Sequence, residues 1–79
     1  MWQEKDSTLV KEFEFPDFKS ALAFVVQVGA VAEKANHHPM IALMWGRVKV
    51  VLTTHDKAKV TAKDRTLAKE IDAIEAISN

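Results

Sequence analysis

The chain has 79 residues, 48% of them hydrophobic and 28% charged, a balance typical of one small globular domain. Eleven basic residues offset eleven acidic ones, so no net charge favours nucleic acid or an anionic membrane as a partner. Because cysteine is absent, neither a disulfide nor a thiolate metal site can form. The apolar runs are too short to span a bilayer and the N-terminus lacks a signal-peptide core, so we expect a cytoplasmic protein with no membrane contact.

Two strands are predicted before the first helix. Apolar and polar residues alternate over residues 9–15, which indicates a half-buried strand. Its large apolar side chains share one face: Leu9, Phe13 and Phe15. The polar residues 5–7 are expected to turn the chain back onto a short strand at Trp2.

A helix is predicted from Phe18 to about Asn36. Pro16 ends the preceding strand, and Asp17 is a plausible N-cap. Apolar residues then recur at helical spacing and predict a buried stripe: Phe18, Leu22, Val25, Val28 and Ala32. Pro39 blocks further helix because it disfavours the α conformation at the residue before it and lacks a backbone donor.

The second half of the chain predicts a hairpin and a final helix. Residues 41–45 are apolar and residues 48–54 are apolar or β-branched except for Lys49, with a turn at Gly46-Arg47 between them. The last helix is expected to start at Thr61, which forms a capping box with Asp64. Its buried stripe would be Leu67, Ile71 and Ile74. This order predicts an α+β fold, a four-stranded antiparallel sheet with two long helices packed on one face.

The three histidines are confined to the ends of two elements. His37 and His38 follow the first helix, and His55 ends the last strand. Side chains at such ends can converge in a cleft without disrupting a core. Imidazole titrates near pH ~6.5, so such a cluster can supply both an acid and a base near neutrality.

A metal site is the competing interpretation. Glu33 and His37 have the spacing of helical zinc ligands, and His55 could be a third ligand. Adjacent residues in extended or turn conformation point their side chains apart, however, so His37 and His38 make a poor chelating pair. We therefore expect acid–base chemistry with no metal and no cofactor.

The other candidate residues have simpler interpretations beside the functional one. Glu33 could orient His37 from one helical turn away, or it could be an exposed helix residue beside Lys34. Asp64 is already accounted for by the capping box. Trp2 and Trp45 are more often packing residues than ligand platforms.

The spacing of these residues resembles the signature of the pterin-4a-carbinolamine dehydratases. Glu33 is followed by His37-His38-Pro39, Trp45, His55 and Asp64 at acceptable intervals, and the flanking sequence is similar from Trp2 to about Ile77. The resemblance implies the α+β fold predicted above. It also implies dehydration of a 4a-hydroxy-tetrahydropterin, the adduct that aromatic amino acid hydroxylases leave behind, to a quinonoid dihydropterin.

The resemblance further implies roles for the candidate residues. His37, His38 and His55 would be catalytic, with His37 and His55 as general acids towards the C4a hydroxyl and His38 binding the pterin or accepting its proton. Glu33 and Asp64 would orient histidines or bind the polar pterin edge. Pro39 would fix the backbone after the histidine pair. Trp2 would wall the pocket, and Trp45 belongs to the same signature.

The sequence departs from the family pattern in two places. Family members usually carry another helix before the first strand, and that helix is missing from this sequence. Met40 and Ile41 follow Pro39, where the family commonly has an acidic-aromatic pair. These differences are expected to alter a pocket wall and the pocket rim or a subunit contact.

The sequence is also compatible with two other functions. Animal members of the family also act as dimerisation cofactors for a homeodomain transcription factor, so this fold can serve as a non-catalytic interaction module. The same pocket could instead maintain another pterin cofactor such as molybdopterin. We also expect a homodimer or homotetramer, through the uncharged residues 40–44 and the isoleucines of the last helix: Ile71, Ile74 and Ile77.

Overall fold

A computed structural model describes residues 1–78 of the chain and the side chains of residues 1–76. Its elements in order are β1 Gln3–Lys5, β2 Thr8–Glu14, α1 Phe18–Ala35, β3 Met40–Met44, β4 Arg47–Leu52 and α2 Ala62–Ser78. The four strands form one antiparallel sheet in the order β1-β2-β4-β3. The predicted α+β fold class and the predicted order of elements are confirmed.

Two tight turns set the register of the sheet. Lys5 pairs with Thr8 across a turn whose two residues both have positive φ, and Met44 pairs with Arg47. The second turn is therefore Trp45-Gly46, one residue earlier than predicted. A Cβ at Gly46 would lie 3.1 Å from the carbonyl oxygen of Phe15, closer than an ordinary contact, so glycine avoids a tight approach at this turn. The Phe15 amide donates to the Gly46 carbonyl at 2.9 Å, so this turn also closes the end of β2.

Both ends of α1 are fixed by local hydrogen bonds. Asp17 caps the N-terminus as predicted, since its carboxylate accepts from the Ser20 amide at 2.8 Å. At the C-terminus Asn36 is left-handed, with φ of 52°. The His37 amide then donates to the Ala32 carbonyl and the Asn36 amide to the Glu33 carbonyl, both at 3.1 Å. This Schellman motif ends the helix and fixes the backbone of His37.

The buried stripe of α1 differs from the prediction. Val28 and Ala32 are buried as expected, but Phe18 and Leu22 are exposed. The stripe that faces the sheet instead includes Ala21 and Phe24. The apolar residues of α1 cover more than one face, and the helix is oriented by Phe24, whose ring lies 4.8 Å from that of Phe13 and 5.0 Å from that of Phe15.

Among the side chains that the structure describes, the large apolar residues that the helices leave exposed lie on α1. Leu67 and Ile71 are fully buried in the core, so the prediction that Ile71 contributes to an exposed oligomer surface is wrong. The side chain of Ile77 lies outside the described residues. The exposed apolar residues of α1 form a stripe on its outer side: Phe18, Leu22 and Val26.

Candidate active site

The site is built around a contact between His37 and Asp64. The Schellman motif sets His37 beside the first turn of α2, where its Nε2 lies 2.5 Å from Asp64 Oδ1. The Asp64 side chain is fully buried, and that of His37 is nearly so. Because water scarcely reaches this pair, it does little to screen the attraction between the carboxylate and the imidazole. The Asp64 carboxylate therefore strongly restricts the orientation of the His37 ring.

The second oxygen of Asp64 is held by two other donors. Asp64 Oδ2 accepts from the Thr61 amide at 2.9 Å and from the Thr54 hydroxyl at 2.7 Å. The Thr61 hydroxyl in turn accepts from the Lys63 amide at 3.3 Å. The predicted capping box is therefore present, but it uses only one carboxylate oxygen and leaves Oδ1 for His37.

These contacts keep Asp64 ionised. Burial by itself would raise the pKa of the Asp64 carboxyl, but hydrogen bonds from His37, the Thr61 amide and Thr54 together lower it below the ordinary 3.8. An ionised carboxylate only accepts, so His37 carries a proton on Nε2 and donates it to Asp64. The other ring nitrogen, Nδ1, is then the one left for chemistry: it accepts a proton when the ring is neutral and donates one when the ring is charged.

His38 pairs with Glu33 on the surface. His38 Nε2 lies 2.7 Å from Glu33 Oε1, and both side chains are well exposed. The prediction that Glu33 orients His37 is not what the structure shows. Helical spacing no longer applies past Asn36, because the left-handed residue redirects the chain and brings His38 rather than His37 back over Glu33.

His55 lies next to the same network along the chain. β4 ends at Leu52, and Thr54 then pairs with Lys59 across a turn that contains His55. Within residues 1–78, the exposed His55 side chain makes no hydrogen bond or ion pair. Its backbone is anchored on one side by its neighbour, since the Thr54 side chain is buried against Asp64.

A surface depression of about 320 Å³ lies beside His37. It runs along the first turns of α2 and is lined by Ala35, His37, Ala62, Lys63, Thr66, Leu67 and Glu70. This volume is at the lower end of the ~300–1,000 Å³ typical of small-molecule sites. A depression of about 420 Å³ on the open face of the sheet is lined by none of the three histidines.

Comparisons with known proteins decide the family. The family model described as Pterin 4 alpha carbinolamine dehydratase matches residues 1–74. The chain belongs to the pterin-4a-carbinolamine dehydratase family.

A relative from Roseiflexus sp. strain RS-1 is 47% identical over 73 residues, which are 92% of this chain and 78% of the relative. One from Metallosphaera sedula is 43% identical over 74 residues, 94% of this chain and 77% of the relative. Both are named only provisionally as pterin-4-alpha-carbinolamine dehydratases.

Two solved structures share the fold. A transcriptional coactivator/pterin dehydratase from Brucella melitensis superposes with a TM-score of 0.89 at 37% identity, covering 94% of this chain and 81% of that one. A pterin dehydratase-like protein identified as a RuBisCO assembly factor in the alpha-carboxysome superposes with a TM-score of 0.78 at 25% identity. That match covers 95% of this chain and 87% of the assembly factor. A protein that shares this fold has thus been identified as an assembly factor.

The structure does not bring the two tryptophans to the histidines. Trp2 packs edge-to-face on Phe13 and donates from Nε1 to Asp72 Oδ1 at 3.0 Å. Asp72 is eight residues after Asp64 on α2, about 12 Å along the helix at ~1.5 Å per residue. Trp45 is 72% exposed in the β3–β4 turn and lines a different depression with Phe15 and Met44.

Pro39 connects the histidine pair to the sheet. It lies between His38 and the first residue of β3, and its peptide bond is trans. Among the described residues, no group of three histidine, cysteine or acidic side chains is arranged to hold a metal ion. The residues of the competing metal interpretation are divided between two pairs, with Glu33 on His38 and His37 on Asp64.

Thr54 is the site residue that the sequence interpretation missed. The side chains of Val48, Val50 and Leu52 face the core, and the same alternation continues to Thr54. A threonine at a core-facing position must find a buried hydrogen-bond partner, which was the available signal. Its partner is Asp64, and every buried side-chain nitrogen and oxygen in the described part of the chain is hydrogen-bonded.

Neither helix of the described residues combines the length and apolar character that crossing a bilayer requires.

Proposed function

We propose that this chain is a hydro-lyase that dehydrates a 4a-hydroxy-tetrahydropterin to the quinonoid dihydropterin, and so recycles the cofactor of aromatic amino acid hydroxylases in the cytosol. Family membership supports the reaction class. The observation that carries the proposal is the hydrogen-bonded chain from His37 through Asp64 to Thr54. It links the two segments that hold all three histidines, and its carboxylate is fully buried.

The reaction needs two proton transfers and no electrons. A proton reaches the C4a hydroxyl, the bond from C4a to that oxygen breaks, and water leaves. The proton on the adjacent ring nitrogen is removed, and a double bond forms between that nitrogen and C4a. Histidine suits both transfers near neutral pH, so the proposed reaction uses no metal and no redox cofactor.

His37 is the best-supported general acid. The buried Asp64 carboxylate stabilises positive charge on its ring, and Nδ1 is the nitrogen left to give a proton to the departing hydroxyl. His55 is the proposed second acid, and exposed His38 would bind the pterin or accept its proton. The depression beside His37 is the proposed pterin site, where Lys63 and Glu70 offer charged groups to the polar ring edge.

The decisive test is the dehydration rate of a synthetic 4a-hydroxy-tetrahydropterin, compared with its spontaneous rate in the same buffer. We expect wild-type protein to accelerate the reaction, with or without a strong chelator. His37→Ala and His55→Ala should each lower the rate constant by ~10²-fold or more, the usual contribution of a general acid. Wild-type turnover in both variants, or a chelator effect that zinc reverses, would refute this acid–base mechanism.

A separate effect is expected at His38. Because it is exposed and held only by a surface pair, His38→Ala should raise KM at least as much as it lowers kcat. Steady-state kinetics over a range of pterin concentrations measure the two separately. A fall in kcat with unchanged KM would instead assign His38 to proton transfer.

A second candidate function, a non-catalytic interaction module, is favoured by the exposed stripe of Phe18, Leu22 and Val26 on α1. Large apolar side chains grouped on one surface are typical of protein contacts. The RuBisCO assembly factor with the same fold shows that the scaffold can be used in assembly. A wild-type rate equal to the spontaneous rate for every pterin tried, including molybdopterin precursors, would favour this second function.

The proposed assembly is a homodimer or a homotetramer. β3 lies at one edge of the sheet, and its residues Met40–Met44 carry no charge. Light scattering at micromolar concentration should give a multiple of the 8.9 kDa chain mass. Met44→Lys should lower that mass if strands pair at this edge, whereas Val26→Lys should do so if the α1 stripe is the contact. A monomeric wild-type chain would exclude both.

A further inference from the structure

The hydrogen bonds around Asp64 have only one consistent direction. The carboxylate accepts at Oδ2, so the single hydroxyl proton of Thr54 points to Asp64. The Thr54 oxygen is also 2.7 Å from the Thr61 hydroxyl, which must therefore be the donor of that second bond. Thr61 in turn accepts from the Lys63 amide. In this series of hydrogen bonds, each group from the Lys63 amide to the Thr54 hydroxyl donates in the direction of Asp64, whose other oxygen contacts His37.

From this arrangement we infer that Thr54 is a positioning residue, whose hydroxyl fixes the Asp64 carboxylate so that His37 keeps its proton on Nε2 and presents Nδ1 to the substrate. The role in catalysis rests on the proposed function, but the effect on His37 does not. Thr54 itself does not touch His37 and acts only through Asp64.

Geometry explains why the hydroxyl is needed in addition to the helix cap. The Thr61 amide alone would hold Oδ2 with one hydrogen bond. That single bond restricts rotation of the carboxylate about its Cβ–Cγ bond less than two bonds do. The Thr54 hydroxyl adds a second donor to the same oxygen from the β4 side. Two donors on Oδ2, from different segments, leave Oδ1 as the oxygen that faces His37. Burial of Thr54 and Asp64 excludes water as a substitute donor.

The test compares Thr54→Val with Thr54→Ser and Thr53→Val. Valine keeps the shape of threonine but removes the hydroxyl, and serine restores the hydroxyl. Thr53→Val is the matched control because the adjacent Thr53 hydroxyl donates to the Ser7 carbonyl at 2.8 Å, away from Asp64. NMR of the imidazole nitrogens reports the tautomer of His37 in the substrate-free protein, and kcat and KM are measured on the same samples.

The wild type, Thr54→Ser and Thr53→Val should show a slowly exchanging proton on Nε2 of His37. Thr54→Val should lose this signal and show a mixture of tautomers. Its kcat should be lower by about tenfold with KM little changed, which is the lower end of the effect of removing an outer hydrogen-bond partner from a metal-ligating histidine. If Thr54→Val does not fold, Thr54→Ala takes its place as the variant without the hydroxyl and is compared with Thr54→Ser, which keeps it.

The outcomes separate this inference from the proposed function. An unchanged His37 spectrum in folded Thr54→Val would overturn the inference, whatever the wild-type activity is. A changed spectrum in a chain that does not dehydrate pterins would support the positioning of His37 and refute the proposed reaction. Equal effects of Thr54→Val and Thr53→Val would show a general loss of stability and would also overturn the inference.

Discussion

Two histidine–carboxylate pairs lie side by side in this molecule and differ mainly in burial. His37 and Asp64 are 2.5 Å apart with side chains 12% and 0% exposed, whereas His38 and Glu33 are 2.7 Å apart with side chains 59% and 80% exposed. The contacting atoms are chemically the same in both pairs. The comparison therefore isolates the effect of the surroundings on a histidine that is bound to a carboxylate.

Burial makes one pair specific and leaves the other adaptable. Asp64 is shielded from bulk water and held by three donors, so its contact with His37 has one geometry. Glu33 sits in solvent, where an ion pair typically contributes only ~0–1 kcal/mol and is weakened by salt. A rigid histidine is suited to proton transfer at one atom, and a mobile one is suited to closing over a ligand.

The largest difference between the two pairs is expected when each carboxylate is changed to its amide. Asp64→Asn should lower kcat by ~10²–10³-fold, because the amide cannot stabilise a charged His37 and its NH2 group can reverse the tautomer. It should also lower the free energy of unfolding by ~1–3 kcal/mol, since a buried network loses its charged acceptor. Activity is measured at a temperature where circular dichroism shows both proteins folded.

The matched variant for this experiment is Glu33→Gln, which makes the same chemical change in the exposed pair. A rate for Asp64→Asn within about threefold of wild type would contradict the assignment, because positioned acid–base groups contribute ~10²-fold or more. Loss of activity in both variants to the same degree would show that burial does not distinguish the two pairs.

The fold could be predicted well because its signals are local. The alternation in β2, the Asp17 cap and the break before Pro39 each follow from a few adjacent residues. The orientation of α1 could not be obtained in this way, because apolar residues on this helix cover several faces. Packing of Phe24 against Phe13 and Phe15 determines which of these faces is buried. Those contacts join residues from different elements of the fold.

The sequence identified most residues of the candidate site but not their pairings, and it missed Thr54. His37, His38, Glu33 and Asp64 were all identified from the sequence, yet Glu33 was matched to the wrong histidine. The left-handed Asn36 that redirects the chain is a tertiary choice, since asparagine tolerates this conformation without requiring it. That His37 meets Asp64 depends on how α1 and α2 pack, and spacing along the chain carries no such information.

Acid unfolding tests how much stability the ionised carboxylate of the buried pair contributes. The pKa of Asp64 is lowered in the folded chain, so the stability from its ionised form is complete above the ordinary value of 3.8 and is lost as the pH falls through the folded pKa. The difference in unfolding free energy between wild type and Asp64→Asn should therefore shrink as the pH falls through the folded pKa of Asp64.

Urea unfolding at a series of pH values measures this difference. The pKa of Asp17 is also lowered, by the Ser20 amide, but Asp17 is present in both proteins and its contribution cancels. A difference that stays constant down to pH ~2 would mean that Asp64 contributes through its shape rather than through its charge.

The smallest effect is expected from Glu33→Gln. Because both side chains of this pair are exposed, its loss should change the free energy of unfolding by no more than ~0.5 kcal/mol and raise KM by less than about threefold. High salt should bring the wild-type KM to that of the variant, since screening already weakens the pair. The measurement is KM for both proteins at low and high ionic strength. A tenfold or greater effect that salt does not reduce would show that Glu33 holds His38 as firmly as Asp64 holds His37, and the distinction between the two pairs would then have to come from the substrate rather than from burial.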